Sequence, residues 1–278
     1  MSTSLRGAWR LPSVRLSLAV LAVVVALAVF GDWLSPLDPV AQNPAERLRG
    51  PSGGHLLGTD YLGRDVLSRL ISGTGASVLG TLEAVGAGLV LGAVPGLVSV
   101  FLGRVYEWVA MRVADALLSL PFIIFAIAVA GVLGNGPHQA MLAIGVLLAP
   151  VFFRVTRASA IEFTRAQYVE AAELLGASRT RIVRTHVLGK VLPTIAVTTA
   201  GAAAASLLVV SSLSFLGIGV APPAPTWGGV LASDLGFLHQ QPLAPLAPAL
   251  LIMITVGALN ALADAVRDTT GVRADAVV

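Results

Sequence analysis

The chain alternates between long apolar runs and shorter polar segments. The apolar runs cover about residues 16–30, 76–102, 138–160, 193–215 and 245–266, with one more, bent by Pro121, that ends near residue 133. A hydrocarbon core of about 30 Å needs roughly 20 apolar residues per helix. The pattern therefore predicts an all-α integral membrane protein with six transmembrane helices. We divide it into residues 1–75, with the N-terminal tail, the first span and an extracytoplasmic segment, and residues 76–278, a core of five helices.

Composition supports a membrane protein and excludes several kinds of site. The chain is 56% hydrophobic and 12% charged, with a mean hydropathy of +0.85, whereas soluble domains are about a quarter charged. Cysteine is absent, which excludes disulfides, thiolate metal sites and cysteine nucleophiles. The four histidines are scattered, so no metal site is expected. Basic and aromatic residues are not interleaved, so membrane lipids rather than nucleic acid are the expected partners.

The placement of arginine and lysine predicts the orientation, because short cytoplasmic loops carry an excess of these residues. With a cytoplasmic N-terminus, 14 of the 18 basic residues lie in cytoplasmic segments or at inner span ends: Arg6, Arg10, Arg15, Arg104, Arg112, Arg154, Arg157, Arg165, Arg179, Arg181, Arg184, Lys190, Arg267 and Arg273. The other four are Arg47, Arg49, Arg64 and Arg69. We expect both termini in the cytoplasm and an uncleaved first span; a signal peptide with a cleavage pattern at residues 26–28 is the alternative.

A polar loop, residues 168–193, separates two of the spans. Residues 169–175 favour a helix, and Gly176 can take the left-handed conformation that ends it. Ser178 can cap a second helix, whose apolar positions share one face while Arg181 and Arg184 lie on another. Taken alone, the pattern also fits an ordinary amphipathic hairpin.

The polar loop resembles the Glu-Ala-Ala loop of ABC-importer permease subunits. The matching or corresponding positions are Glu170, Ala171, Ala172, Leu175, Gly176, Ala177, His186 and Leu188. Gly189 stands where that family usually has proline, and we expect Pro193 to start the next helix instead. The resemblance implies that residues 161–192 form a cytoplasmic coupling loop that fits a groove on a separate ATPase.

A second motif, the signature segment, covers residues 57–70 and follows a stretch rich in proline and glycine. Val66 and Leu70 lie on an apolar stripe opposite polar Ser68 and Arg69, which predicts an amphipathic interfacial helix that leads into the second span. Each charge could also belong to a solvated face. The segment resembles a signature of the second permease subunit of dipeptide, oligopeptide and nickel importers; the matching residues include Gly58, Thr59, Asp60, Gly63, Arg64 and Asp65.

A third stretch, residues 215–228, resembles the same permease branch. It contains three prolines before Trp227. We expect Trp227 and Phe237 to lie in an aromatic belt at the membrane surface, where such side chains are enriched.

Polar residues inside the predicted spans are candidates for a translocation pathway. Glu83 lies near the outer end of the second span. It could contact a substrate cation, or it could pair with a neighbouring helix close to the interface. Ser206 and Ser211 belong to a span rich in small residues. These residues could line a polar conduit or permit close helix packing.

The chain lacks the G-x-x-x-x-G-K-[ST] sequence of a P-loop, so we expect it to bind no cofactor and to be no enzyme. The resemblance implies a bacterial inner-membrane permease that imports peptides, or nickel complexes, by alternating access. It further implies a homologous second permease, two ATPase subunits that bind ATP and Mg²⁺, and an extracytoplasmic binding protein. A carrier or channel driven by an ion gradient is the alternative from another class.

Overall fold

The computed structural model describes residues 12–134, 136–164 and 166–270, and every regular element in them is helical. The α-helices are α1 (Pro12–Leu34), α2 (Val66–Ser99), α3 (Arg104–Leu118), α4 (Phe122–Leu133), α5 (Pro137–Thr164), α6 (Gln167–Leu174), α7 (Arg179–Ile182), α8 (Leu188–Phe215), α9 (Trp227–Asp234) and α10 (Leu243–Thr270). A π-turn, Val183–Val187, joins α7 to α8. Four residues used to predict the orientation, Arg6, Arg10, Arg165 and Arg273, lie outside the described residues.

Among the described residues, five helical stretches are long and apolar enough to cross a membrane: α1, α2, α5, the continuous stretch Thr180–Phe215, and Leu243–Asp268. The pair α3 and α4 is a sixth candidate, with axes that differ by 93°. The break lies at Pro121, the residue before α4. The predicted all-helical membrane architecture with a bend at Pro121 is therefore confirmed, with five continuous spans and a sixth where α3 and α4 count together as one broken span.

Helices α2 and α5 form the centre of the bundle because glycines let their backbones approach closely. A Cβ added at Gly92 of α2 would lie 2.2 Å from the carbonyl oxygen of Ala149, and one at Gly145 of α5 would lie 2.5 Å from Cβ of Ala87. Such distances leave no room for a side chain. Small residues at helix contacts are a common solution in membrane bundles.

The two ends of the bundle are distinct. At one, the signature end, the N-terminal half of α2 packs with α1, α8, α9 and α10 around buried Val66, Leu70 and Trp227. At the other, the loop end, the polar loop packs on the last turns of α2 and α5. Trp227 is fully buried, and its indole Nε1 donates to Leu70 O and Thr74 Oγ1, both at 3.3 Å. The predicted place of Trp227 in a membrane-surface belt is therefore wrong.

Two predicted helix starts are also corrected. Helix α2 begins at Val66, so the amphipathic stretch continues into the span without a break, and Ser68 and Arg69 are buried rather than solvated. Helix α8 begins at Leu188, whose N–H bonds Val183 O across the π-turn. The chain is thus already helical when it reaches Pro193, which lies inside α8 and does not start it.

Candidate functional site

The polar loop is a compact unit whose backbone follows the predicted caps. Gly176 has φ +80°; its N–H bonds Glu173 O at 2.9 Å, and the N–H of Ala177 bonds Ala172 O at 3.0 Å. These two bonds form a Schellman motif, which satisfies the last carbonyls of α6. The Ser178 hydroxyl then accepts from the N–H of Arg181 at 3.4 Å at the start of α7. The helix–turn–helix predicted from residues 169–187 is confirmed.

An apolar cluster fixes this unit to the bundle. The cluster joins three almost fully buried loop residues to one residue each of α5 and α8: Val169, Ile182 and Val187 with Ala160 and Val191. Two small loop residues, Ala172 and Ala177, pack against it. His186 is half-buried, and its ring centroid lies 5.8 Å from that of Tyr168. The inner side of the loop is therefore packed against the membrane helices α5 and α8.

The outer tip of the loop is apolar and uncovered. Leu174 is 85% exposed and Leu175 is 88% exposed, beside exposed Glu170 and Ala171. Two adjacent leucines in a polar loop are a signal for a docking surface. The sequence reasoning selected Leu175 from the motif but missed Leu174, although two apolar residues in a row were visible there.

The signature segment forms a tight turn at the opposite end of the bundle. Gly58 and Gly63 both have φ +78°, and a Cβ at Gly63 would lie 1.9 Å from Asn43 O. Thr59 and Asp65 pair as an isolated antiparallel bridge. Asp65 caps α2 by accepting from the N–H of Ser68 at 2.8 Å.

Asp60 holds the centre of a buried ionic cluster within the signature segment. Its carboxylate accepts from the Arg64 N–H at 2.9 Å and from Arg64 Nε at 2.6 Å, and Arg69 Nε lies 3.5 Å away. All three side chains are almost fully buried. Because a buried charge is costly unless it is paired, loss of one of these side chains would leave its partners uncompensated, and the interpretation of a solvated charged face is wrong for them.

Asp234 brings α9 into the same cluster. It is fully buried, and its Oδ1 accepts from the Tyr61 N–H at 3.3 Å. Burial, followed by the charge of Asp60, raises the pKa of the Asp234 carboxyl to about 6. Nearby, the hydrogen bond to Asp65 raises the pKa of the His55 imidazole. The sequence reasoning missed Asp234, because no local pattern marks its distant contact with Tyr61.

The three candidate pathway residues are not part of one cluster. Glu83 pairs with His138 at the start of α5 at 3.0 Å, which confirms the interpretation that it pairs with a neighbouring helix. Ser206 and Ser211 are buried in α8, and neither hydroxyl has a hydrogen-bond partner among the described residues. Ser211 borders an apolar cavity of about 550 Å³ between α4, α8, α9 and α10. A Cβ at Gly228 of α9 would lie 2.0 Å from Ser211 O, so this part of α8 is also closely packed.

Comparisons with known proteins agree with this architecture. Residues 84–270 match the family described as "Binding-protein-dependent transport system inner membrane component". Residues 12–51 match a second model, "N-terminal TM domain of oligopeptide transport permease C". The first match covers most of the bundle and all of the polar loop.

Several curated proteins are similar over almost the whole chain. The "Probable D,D-dipeptide transport system permease protein DdpC" of Escherichia coli (strain K12) is 31% identical over 91% of this chain and 85% of its own length. The "Nickel transport system permease protein NikC" of the same strain is 36% identical over 92% of each chain.

Among solved structures, the chain resembles one titled "Inward facing conformations of the MetNI methionine ABC transporter: CY5 native crystal form", with 22% identity and a TM-score of 0.49 over 72% of this chain and 95% of that chain. The extent of the family match and the identities to full-length permeases decide the classification. The chain belongs to the binding-protein-dependent transport system inner membrane component family and is a multi-pass permease subunit of an ABC importer.

Proposed function

We propose that this chain is the second permease subunit of a peptide importer and that its polar loop couples transport to a cytoplasmic ATPase. It pairs with a homologous permease, and together they receive cargo from an extracytoplasmic binding protein. ATP and Mg²⁺ bind two separate ATPase subunits, while this chain binds no cofactor and carries out no chemistry. The similarity to a dipeptide permease and to an oligopeptide permease N-terminal domain supports peptides as the cargo.

The observation that carries the coupling proposal is the exposed apolar tip on a firmly packed loop. Leu174 and Leu175 project from a unit whose other side is buried against α5 and α8. A partner groove that covers both leucines would gain roughly 1.5–3 kcal/mol for each fully buried side chain. Because the loop packs on the membrane helices, a displacement of the tip would be transmitted to them.

The loop must then face the cytoplasm, where ATP is available. The excess of arginine and lysine at the loop end supports this orientation and places the signature end outside. Labelling of a single cysteine introduced at Leu174 with an impermeant reagent, in membranes without the ATPase subunits that would cover this position, tests this directly. We expect reaction in inside-out vesicles and none in intact cells, and the reverse result would contradict the coupling proposal.

Substitution of Gly176 tests the coupling. At φ +80° a side chain is strained although nothing lies within 4 Å of the added Cβ, so Gly176→Val should distort the turn without a steric clash. In proteoliposomes with the complete transporter, we expect ATP hydrolysis to continue while uptake of a labelled dipeptide falls at least tenfold. Gly54→Val is the matched control, since Gly54 lies in an exposed loop with open space and no positive φ. Equal uptake per ATP in both variants would refute the coupling role.

Nickel complexes are the second candidate cargo, because the nickel permease is 36% identical to this chain. The described residues contain no group of three or more potential metal ligands, so the chain would provide a passage rather than a resident metal site. Competition between dipeptides and nickel in the same vesicles separates the two cargoes. Uptake that persists without the ATPase subunits would instead favour a carrier driven by an ion gradient.

A further inference from the structure

The pair formed by Glu83 and His138 is unusual because it joins two ionisable side chains of spanning helices and is open on one side. Glu83 belongs to the fifth turn of α2, and His138 to the first turn of α5. The Glu83 side chain is 32% exposed and that of His138 is 78% exposed. With these exposed fractions, neither side chain is buried between the two helices.

The carboxylate is also only partly satisfied. Both Oε1 and Oε2 of Glu83 lie 3.0 Å from the same ring nitrogen, Nδ1 of His138. An ionised carboxylate only accepts, so Nδ1 must donate, and one N–H can occupy only one of about four acceptor positions. The remaining acceptor positions are available on the exposed side.

This face is unsuited to lipid. A carboxylate on the lipid side of a span costs up to about 2.5–3.5 kcal/mol at the bilayer centre and less near the interface, and ionisable residues in spans face the bundle interior or a water-filled cavity. Within this chain, α2 and α5 pack against each other and against α4 and α8, while Leu79 and Leu82 of α2 are exposed beside Glu83. The pair lies near the outer end of both spans, where its open side can meet water, and in the assembled importer we place this side toward the space between this chain and its partners.

We propose that Glu83 and His138 form a cation-selecting site on the wall of the translocation pathway, in which Glu83 binds a cationic group of the cargo while His138 holds the carboxylate in place. The inference rests on the proposed function, because the water-filled space exists only in the assembled importer. A peptide ammonium group and a metal cation share the required chemistry. Glu83 is the specificity residue, and His138 is a positioning residue.

The absence of cysteine from the chain allows a test that does not depend on transport. Two variants of the assembled transporter are compared, His138→Cys and the double variant His138→Cys/Glu83→Gln. Each is labelled with a cationic and, separately, with an anionic methanethiosulfonate reagent. We expect position 138 to be labelled readily, and the cationic reagent to react faster than the anionic one. This preference should fall about fivefold or more when Glu83→Gln removes the negative charge, because one charge at about 4 Å in water contributes about 1 kcal/mol. Glu83→Asp, which keeps the charge, should retain the preference.

Two controls make the result specific. Val23 of α1 is exposed in the single chain together with Val25 and Val29, so we expect this apolar face to meet lipid and Val23→Cys to stay unlabelled. Glu162→Gln removes a carboxylate from an exposed position on α5 and should leave the preference at position 138 unchanged. Failure to label position 138, or an equal preference with and without Glu83, would overturn the site while leaving the proposed permease function intact.

Protection from labelling identifies the cation. Protection by dialanine but not by N-acetyl-dialanine indicates the peptide ammonium group, and protection by Ni²⁺ that is lost when Glu83→Gln is added indicates a metal cation bound by Glu83 rather than by the introduced thiol alone. Protection by none of the three would overturn the role in cargo recognition. In every arm, uptake by the same vesicles reports separately whether the importer itself functions.

Discussion

Asp234 offers the clearest test of how the signature end is stabilised. Its carboxyl is fully buried beside Asp60, and its pKa is raised from 3.8 to about 6. Asparagine has nearly the same shape and carries no charge. Its side-chain oxygen can still accept from the Tyr61 N–H, and its NH₂ group can donate to Ser233 Oγ, which itself donates to Val230 O at 2.9 Å.

The change of stability with pH follows from the raised pKa of Asp234. Because the folded state holds the proton more tightly than the unfolded state, the free energy of unfolding falls as the pH rises from about 4 to about 6. Above pH 6 the full penalty is present. At 1.36 kcal/mol per unit, the difference between 3.8 and about 6 corresponds to about 3 kcal/mol.

We therefore expect Asp234→Asn to be more stable than the unchanged protein at pH 8, by up to about 3 kcal/mol, and similar to it near pH 4. The pKa of about 6 already includes the attraction of the carboxylate to Arg69, which the substitution also removes. Denaturant unfolding in detergent micelles, followed by tryptophan fluorescence between pH 4 and pH 8, measures the difference. The buried Trp227 makes the signal sensitive to loss of packing at this end.

Asp38→Asn is the matched control. Asp38 is exposed, and it too accepts from a backbone N–H, that of Val40 at 2.9 Å. The control loses the same charge without any change of burial, so its stability should follow that of the unchanged protein across the pH range. If Asp234→Asn is the less stable protein at pH 8, or if the difference between the two does not vary with pH, the assignment of a buried carboxylate with a raised pKa is refuted.

Two further predictions concern packing. Trp227→Phe should lower the free energy of unfolding by about 1–3 kcal/mol, because it removes the indole donor and leaves a gap. Thermal unfolding measures the loss. The control Trp33→Phe should show no comparable loss, since Trp33 is 85% exposed. Gly92→Ala should cost about 1–3 kcal/mol by forcing α2 and α5 apart. Gly86→Ala on the same helix has open space and should be neutral or stabilising by up to about 1 kcal/mol; equal effects at the two glycines would contradict the close approach of α2 and α5.

Local features of the fold could be predicted from the sequence, because they depend on neighbouring residues. The left-handed turn at Gly176, the cap at Ser178 and the bend at Pro121 each rest on the preference of one residue and its immediate neighbours. The same holds for the number of spans, which depends only on the length of apolar runs. These predictions need no knowledge of which helices meet.

Features that depend on distant contacts could not be predicted in this way. Trp227 is buried because it meets Leu70 and Thr74, more than 150 residues earlier in the chain. Asp234 is buried because it meets Tyr61. From the sequence alone, an aromatic residue in a loop between spans or a carboxylate at the end of a short helix could lie at a membrane surface or be buried against other elements. Only the packing of α9 on α2 and on the signature segment distinguishes the two outcomes.

Helix α2 links the three regions discussed above. At 1.5 Å per residue, its 34 residues make a rod of about 50 Å. Asp65 caps it at the signature end, while Leu97 near its other end packs against the polar loop. Close contacts of Gly88, Gly92 and Gly96 bind it to α5 along the way. If an ATPase displaces the loop, α2 and α5 should therefore move as one body. Glu83 and His138 would stay paired, and what would change is the part of the transporter that their open side faces.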